Sequence, residues 1–153
     1  MTVTSRRIRI LVLGAVVAVM VVGLYPVSYM LCPEWEVLVL DASGNPVPGM
    51  TVRRTCENYS SGGRGAEDDI VTNDQGQASF DAKRARLPVL LRWAGNIVNV
   101  VSQGVHASFG RHAYVFAFGR GLEGTAVANG YVEDWTGEPE QMSSSIVVKP
   151  VEP

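Results

Sequence analysis

Residues Val37–Val52 read VLVLDASGNPVPGMTV and place a turn between two segments in which apolar and polar side chains alternate. Alternation with a period of two is typical of β-strands with one buried face. It extends over Glu34–Leu40 and over Met50–Glu57, and in the first segment Trp35, Val37 and Val39 share a face. The stretch therefore predicts two strands joined at Asp41–Gly49.

Short strand candidates separated by turn residues continue along the chain, and none of them has a sustained helical period. The candidates are Ile70–Thr72, Gln77–Asp81, Pro88–Trp93, Ile97–Val101, Val105–Phe109, Ala113–Phe118 and Ser143–Lys149. The turn Asn73–Gly76 predicts a hairpin. Asn58–Asp68 and Gly119–Gly130 are polar or glycine-rich and are predicted to be loops. Many short strands with regular turns indicate an all-β antiparallel sandwich.

The N-terminal segment is different in kind, because no charged residue occurs between Ile10 and Pro33. A run of this length can cross a bilayer as a helix, which needs about 20 apolar residues. Arg6, Arg7 and Arg9 precede it, so the positive-inside rule places the N-terminus in the cytoplasm and the rest in the periplasm or outside the cell. We expect a retained anchor that meets the membrane through residues 10–31, with Tyr25, Tyr29 and Trp35 at its outer interface. A cleaved signal and secretion is the alternative, although no small-residue cleavage site follows the run.

The sequence thus divides into an arginine cluster and helix (1–33), a domain (34–150) and a short tail (151–153). From Cys32 onward there are ten basic and fifteen acidic residues. Nucleic-acid binding depends largely on neutralising phosphates, so a net charge of about −5 argues against a nucleic-acid partner.

Three motifs resemble a known family. They are the turn Gly44-Asn45-Pro46-Val47-Pro48-Gly49, the element TNDQGQASF (Thr72–Phe80) and the closing IVVKP (Ile146–Pro150). Together they resemble the transthyretin-like or carboxypeptidase regulatory-like domains of bacterial surface proteins. The resemblance implies an Ig-like β-sandwich and an accessory role rather than catalysis.

Two cysteines, Cys32 and Cys56, follow the apolar run and are expected on the far side of the membrane. If the strands on either side of Gly44–Gly49 form an antiparallel hairpin, the two cysteines are close to register. We expect a structural disulfide. A redox or metal site, or a free Cys32 that links two chains, are the alternatives.

Charged and aromatic residues in the predicted loops are the candidate contact residues, because function on such folds concentrates in loops. They are Tyr59, Arg64, Asp68, Asp69, Glu133, Asp134 and Trp135. Within the strand after the turn, an inward-facing Arg54 would need a carboxylate partner.

Candidate catalytic groups are few, and the histidines are His106 and His112. Tyr114 follows His112 by two positions, which is similar to the Tyr/His iron site of ring-cleaving dioxygenases, but their closely spaced histidine pair is absent from this sequence. A metal site needs further ligands at matched spacing, so we expect no metal and no cofactor.

The sequence therefore predicts a membrane-anchored, non-enzymatic β-sandwich that binds an envelope or surface protein or peptide, or acts as a structural accessory. The alternatives are a metal-dependent enzyme that uses His106, His112 and Tyr114, and an envelope protein that self-associates through edge strands.

Overall fold

A computed structural model describes residues 3–61 and 64–151 as an N-terminal helix followed by a mostly β region. The helices are α1 (Val3–Leu24) and α2 (Val89–Gln103), with short 3-10 turns at Tyr59–Ser61 and Gly104–His106. The strands are β1 (Pro26–Cys32), β2 (Glu34–Leu40), β3 (Thr51–Asn58), β4 (Arg64–Val71), β5 (Gln77–Phe80), β6 (Lys83–Pro88), β7 (Arg111–Gly119), β8 (Leu122–Thr125), β9 (Val127–Ala128), β10 (Tyr131–Val132), β11 (Gln141–Val147) and β12 (Lys149–Pro150).

Helix α1 is apolar and stands clear of the β region. Among the described residues it is the one helix long and apolar enough to cross a membrane, over Arg6–Leu24, and almost none of that stretch is buried within the chain. The helix ends just before Pro26, which cannot continue it and begins β1. The predicted N-terminal apolar helix is thus confirmed as a structural element.

Two larger sheets form most of the β region. The first has five antiparallel strands in the order β12-β8-β7-β3-β4. The second has the order β11-β2-β5, in which β11 runs parallel to β2 and β5 runs antiparallel to it. Strand β1 pairs with β6 in a separate two-stranded sheet, so paired β structure begins at Pro26 rather than at Glu34.

One apolar core contains inward-facing side chains of both larger sheets. Its members include Trp35, Val37, Val39 and Phe80 from one sheet and Val52, Ala113, Val115 and Ala117 from the other. Strand β2 has the predicted bounds and the predicted inward face, because alternation with β-branched residues fits a half-buried strand. Tyr29 and Trp35 are buried in this region, which corrects their predicted place at the membrane interface.

Arg54 is the charged member of this interior, with 1% of its surface exposed. Its guanidinium donates to Asp68 at 2.8 Å and to the carbonyl oxygen of Asp81 at 2.9 Å, and it lies 4.8 Å from the centroid of the Phe80 ring. Lys83 makes a second ion pair with Asp68. The predicted carboxylate partner of Arg54 is therefore Asp68.

Two predicted hairpins are corrected. The turn Asp41–Gly49 joins β2 to β3, and the turn Asn73–Gly76 joins β4 to β5, but in both cases the two strands belong to different sheets. Cys32 and Cys56 nevertheless form a disulfide, with their Cα atoms 5.7 Å apart. It links the end of β1 to β3 rather than opposite strands of a hairpin.

Both predicted loops contain strands. Residues 64–68 of the first belong to β4, which pairs with β3 along its whole length. The second contains β8, which pairs with β7, and β9. Polar composition concealed β4, because its carboxylates pair with arginines on β3, Asp68 with the buried Arg54 and Asp69 with the surface Arg53, and such a strand needs no apolar pattern.

The region Pro88–Phe109, predicted to hold three strands, is instead dominated by α2. Its β-branched residues favour strands only weakly, and polar side chains recur at Arg92, Asn96 and Asn99 with helical spacing.

Candidate functional site

Strand β7 presents aromatic side chains on the outer face of the five-stranded sheet. Its sequence RHAYVFAFG alternates, so that Ala113, Val115 and Ala117 are buried while the intervening side chains point outward. Tyr114 is exposed, and Phe116 and Phe118 are half-buried. We refer to Tyr114, Phe116 and Phe118 as the aromatic ridge.

The three rings of the aromatic ridge follow one another with near-parallel planes. The ring centroids of Tyr114 and Phe116 are 6.3 Å apart with an interplanar angle of 24°, and those of Phe116 and Phe118 are 5.7 Å apart with an angle of 30°. Neighbouring aromatic rings at such distances attract one another. The ridge is therefore a continuous apolar strip along the outer face of β7.

A charged border lies on the β3 side of the ridge. The guanidinium of Arg53 is 5.4 Å from the centroid of the Phe118 ring and donates two hydrogen bonds of 2.7 Å to Asp69 on β4. The hydrogen bond from Arg53 holds the pKa of Asp69 below its usual range. This border is consequently neutralised within the sheet.

An open groove of about 570 Å³ lies on the other side of the ridge, between β7, β8 and β12. Its walls include Phe116, Phe118, Thr125, Val127, Glu123 and Lys149. Glu123 on β8 and Lys149 on β12 are opposite each other in the strand register, and they bring one negative and one positive charge to the groove. The groove thus offers apolar walls with one carboxylate and one ammonium group.

His112 extends the outward face of β7 at its other end. Its Nδ1 lies 2.6 Å from the carboxylate of Asp134 and its Nε2 lies 3.1 Å from the carbonyl oxygen of Phe109. Partial burial lowers the pKa of His112, but the hydrogen bonds to these acceptors and the charges of Asp134 and Glu57 outweigh it, so the net pKa is raised. Both ring nitrogens face acceptors, which favours the imidazolium form.

Tyr59 packs edge-on against His112, with ring centroids 5.4 Å apart. A hydrogen bond with Glu57, together with burial and nearby negative charge, raises the pKa of Tyr59 to about 12. Its phenol therefore keeps its proton at neutral pH. This end of β7 is a hydrogen-bonded cluster of a phenol, an imidazole and two carboxylates.

The predicted contact residues of the first loop lie mostly on β4 and its turn. Asp68 pairs with Arg54 and Lys83, Asp69 pairs with Arg53, and Tyr59 is half-buried against His112. The backbone of Arg64 pairs with Asn58, while the side chain of Arg64 lies outside the described residues. These carboxylates are already engaged within the protein.

The predicted contact residues of the second loop are also engaged internally. Glu133 accepts a hydrogen bond from Ser144, and Asp134 contacts His112. Trp135 is 1% exposed, donates from Nε1 to the carbonyl oxygen of Pro139 at 2.6 Å and stacks under Arg111. Its ring belongs to the core rather than to a contact surface.

The two histidines and Tyr114 lie on different elements, His106 in the turn Gly104–His106 and the other two on β7. Within residues 3–61 and 64–151, no group of three or more histidine, cysteine or acidic side chains is arranged to hold a metal ion. His106 is exposed in the turn after α2, while His112 is bound to Asp134 on β7. The structure therefore brings His112 and Tyr114 onto one strand face without His106.

Phe116 and Phe118 were not singled out by the sequence, which directed attention to loops. The sequence did contain a signal for them. In the segment HAYVFAF (residues 112–118) every second side chain is aromatic, and alternation places these side chains on the face away from the core.

Comparisons with known proteins identify no family. No protein-family model and no curated protein matches the chain. Among solved structures, the chain is similar to catechol 1,2-dioxygenase from Acinetobacter sp. ADP1, inhibited by bound mercury, with 16% identity and a TM-score of 0.41. The similarity covers 80% of this chain and 54% of that one, so this chain spans about half the length of that protein.

The expectation of a non-enzymatic protein is corrected by this comparison, because the similar structure is an enzyme. No observation on the described residues indicates a non-enzymatic role. The correction goes no further, since a TM-score of 0.41 transfers neither a reaction nor a site to this chain.

Proposed function

We propose that this chain is a single-pass membrane protein whose β region lies outside the cytoplasm and binds an extended segment of an envelope or surface protein along the aromatic ridge. The observation that carries the proposal is the row of three rings on the outer face of β7 beside an open groove.

Anchoring is supported by α1, which is largely apolar, is not buried within the chain and carries its arginines in its N-terminal part, before the apolar run. The disulfide between Cys32 and Cys56 supports an oxidising compartment beyond the membrane, because such bonds are rare in the cytoplasm. Retention of α1, with the N-terminus in the cytoplasm, is part of the proposal.

The finer fold assignment is also proposed. Inward side chains of the five-stranded and three-stranded sheets meet in one core, which supports a sandwich. The turn Gly44–Gly49, with glycines at φ +84° and +73°, supports the transthyretin-like variety, because only glycine adopts such angles readily. Domains of this kind carry diverse functions, so the binding role is argued from the surface.

The partner chemistry follows from the spacing and character of the ridge. In an extended peptide, side chains on one face recur every two residues, or about 6.6 Å. The ring centroids of the ridge are 6.3 and 5.7 Å apart, which suits apolar side chains at alternate positions of such a segment. Because Asp69 neutralises the charge of Arg53, the ridge favours apolar side chains of the partner. Glu123 and Lys149 would orient charged side chains of the partner at the groove.

Site-specific photocrosslinking in the native membrane tests the proposal. A benzophenone amino acid at Phe116 should give a discrete, protease-sensitive product, whereas the same group at Ser79, on the outer face of the other sheet, should not. The captured partner should then bind the full chain at least tenfold more weakly when Phe116→Ser is introduced. Equal products from both positions, or unchanged binding by the Phe116→Ser variant, would contradict the proposal.

A further inference from the structure

Helix α2 is packed with its polar side toward the protein. Asn99 is buried and donates from its side chain to the carbonyl oxygen of Ser108, and Gly95 and Asn96 are half-buried beside it. The guanidinium of Arg92 lies 5.9 Å from the centroid of the Tyr29 ring. The helix contacts the Tyr59–Ser61 turn, β6 and α1.

The opposite side of α2 is apolar and exposed. Trp93 is 66% exposed, Ile97 61% and Val101 81%, and Val98 and Val100 are exposed alongside them. Val105 and Phe109 continue the exposed apolar surface beyond the end of the helix. A surface helix in water normally turns its apolar stripe to the core, so the arrangement in α2 is the reverse of the usual one.

This surface adjoins the outer end of α1. A Cβ atom on Gly23 would lie 2.5 Å from Cγ of Leu90, so the absence of a side chain at Gly23 lets the first turn of α2 pack directly on α1. Helix α2 has 15 residues and no acidic residue. At 1.5 Å per residue it is about 22 Å long, which is too short to cross the ~30 Å hydrocarbon layer.

We infer that α2 lies in the plane of the membrane interface, with its apolar face against lipid and its polar face against the β region. The inference rests on the proposed anchoring by α1, which brings the start of α2 to the bilayer surface. Amphipathic helices of this kind bury their apolar face at the boundary between headgroups and acyl chains. Tryptophan is enriched at that boundary, which suits Trp93.

Tryptophan fluorescence of the full chain in phosphatidylcholine vesicles provides the test. Trp35 and Trp135 are buried, so Trp93 is the exposed tryptophan. The difference between the fluorescence of the wild type and that of the Trp93→Phe variant is the emission of Trp93. Lipids with brominated acyl chains should quench that signal, and aqueous iodide should quench it less than half as strongly as it quenches free indole.

A matched control moves the tryptophan to a distant exposed site. Val71 is exposed and pairs with Thr51, at the end of β3 and β4 opposite Asn58, which precedes the Tyr59–Ser61 turn that α2 contacts. In the double variant Trp93→Phe, Val71→Trp, the new tryptophan should respond to iodide and not to brominated lipid.

Vesicle flotation after an alkaline wash, on the same samples, separates the two proposals. A chain that does not float contradicts anchoring by α1 and the interfacial placement with it. A chain that floats while Trp93 is quenched by iodide and not by brominated lipid overturns the placement of α2 alone. A floating chain in which Trp93 is shielded from both quenchers overturns it as well, and indicates that a second copy covers the face.

Discussion

Arg54 and Asp68 form an ion pair of 2.8 Å across β3 and β4, in which the arginine is almost completely buried. The next pair along the same strands, Arg53 and Asp69, faces outward and is partly exposed. Neighbouring arginines on one strand thus supply one interior and one surface ion pair.

These two pairs predict unequal effects of the same substitution. Asp68→Asn leaves the buried charge of Arg54 without its carboxylate and should lower the free energy of unfolding by about 3 kcal/mol. Asp69→Asn breaks a solvent-screened surface pair and should lower the free energy of unfolding much less than Asp68→Asn does. Chemical denaturation of both variants measures the difference, and equal losses would show that Arg54 is not held by Asp68.

Removal of the disulfide should destabilise the fold. The bond joins residues 24 positions apart, and both cysteines are fully buried. In the chain-entropy account a loop of this size contributes about 3 kcal/mol. The double variant Cys32→Ala, Cys56→Ala should lose about 3 kcal/mol of unfolding free energy, measured by chemical denaturation. The wild type with its disulfide reduced should be as unstable as the double variant. A double variant as stable as the oxidised protein would contradict the prediction.

The contact between His112 and Asp134 should make stability depend on pH. Because the folded-state pKa of His112 is raised, its stabilisation is fully present below the unfolded value of about 6.5 and is lost as the pH rises through the folded value. Asp134→Asn should therefore lower the Tm more at about pH 5.5 than at about pH 9.

The titration of His112 can also be followed directly by NMR. Asp134→Asn should lower its pKa, with His112→Gln used to assign the resonance. An unchanged titration in Asp134→Asn would mean that the carboxylate does not hold the imidazolium.

Gly76 should tolerate alanine less well than Gly44. Both have positive φ, +72° and +84°. A Cβ at Gly76 would lie 2.7 Å from the carbonyl oxygen of Val39, whereas one at Gly44 meets nothing within 4 Å. Gly44→Ala should cost about 1 kcal/mol of backbone strain, and Gly76→Ala a further ~2 kcal/mol from the collision. Thermal unfolding of the two variants checks the order, and equal losses would contradict the prediction by showing that the turn at Gly76 relaxes to accept a side chain.

The sequence predicted β2, β3, β7 and most of β11 because apolar residues recur at alternate positions in each, interrupted on the buried face by Arg54 in β3 and Ser144 in β11. It did not predict which strands pair, since a turn such as Asn73–Gly76 can close a hairpin or carry the chain from one sheet to the other. Of β4, the end that overlaps the predicted strand Ile70–Thr72 was anticipated. The rest was missed because its carboxylates pair with arginines on β3, and such pairing is recognised only when the strands are known to be adjacent.

Helix α2 was missed for the opposite reason. Its apolar residues were assigned to buried strands because apolar side chains usually face the core. The helical period is defined by polar residues, and in α2 these face the protein while the apolar residues are exposed. The aromatic ridge was overlooked in the same way, because outward aromatic residues on β7 resemble ordinary core residues when the sheet is not known.

The parallel pairing of β11 with β2 has a consequence for the nascent chain. Trp35 donates its indole hydrogen to Ser144, 109 residues later. At ~5–20 residues per second, ribosomal synthesis reaches Ser144 about 5 to 20 s after Trp35. Throughout that interval β2 has an open edge and its tryptophan lacks its final partner, so a chaperone or the export machinery has a defined window in which to hold the chain.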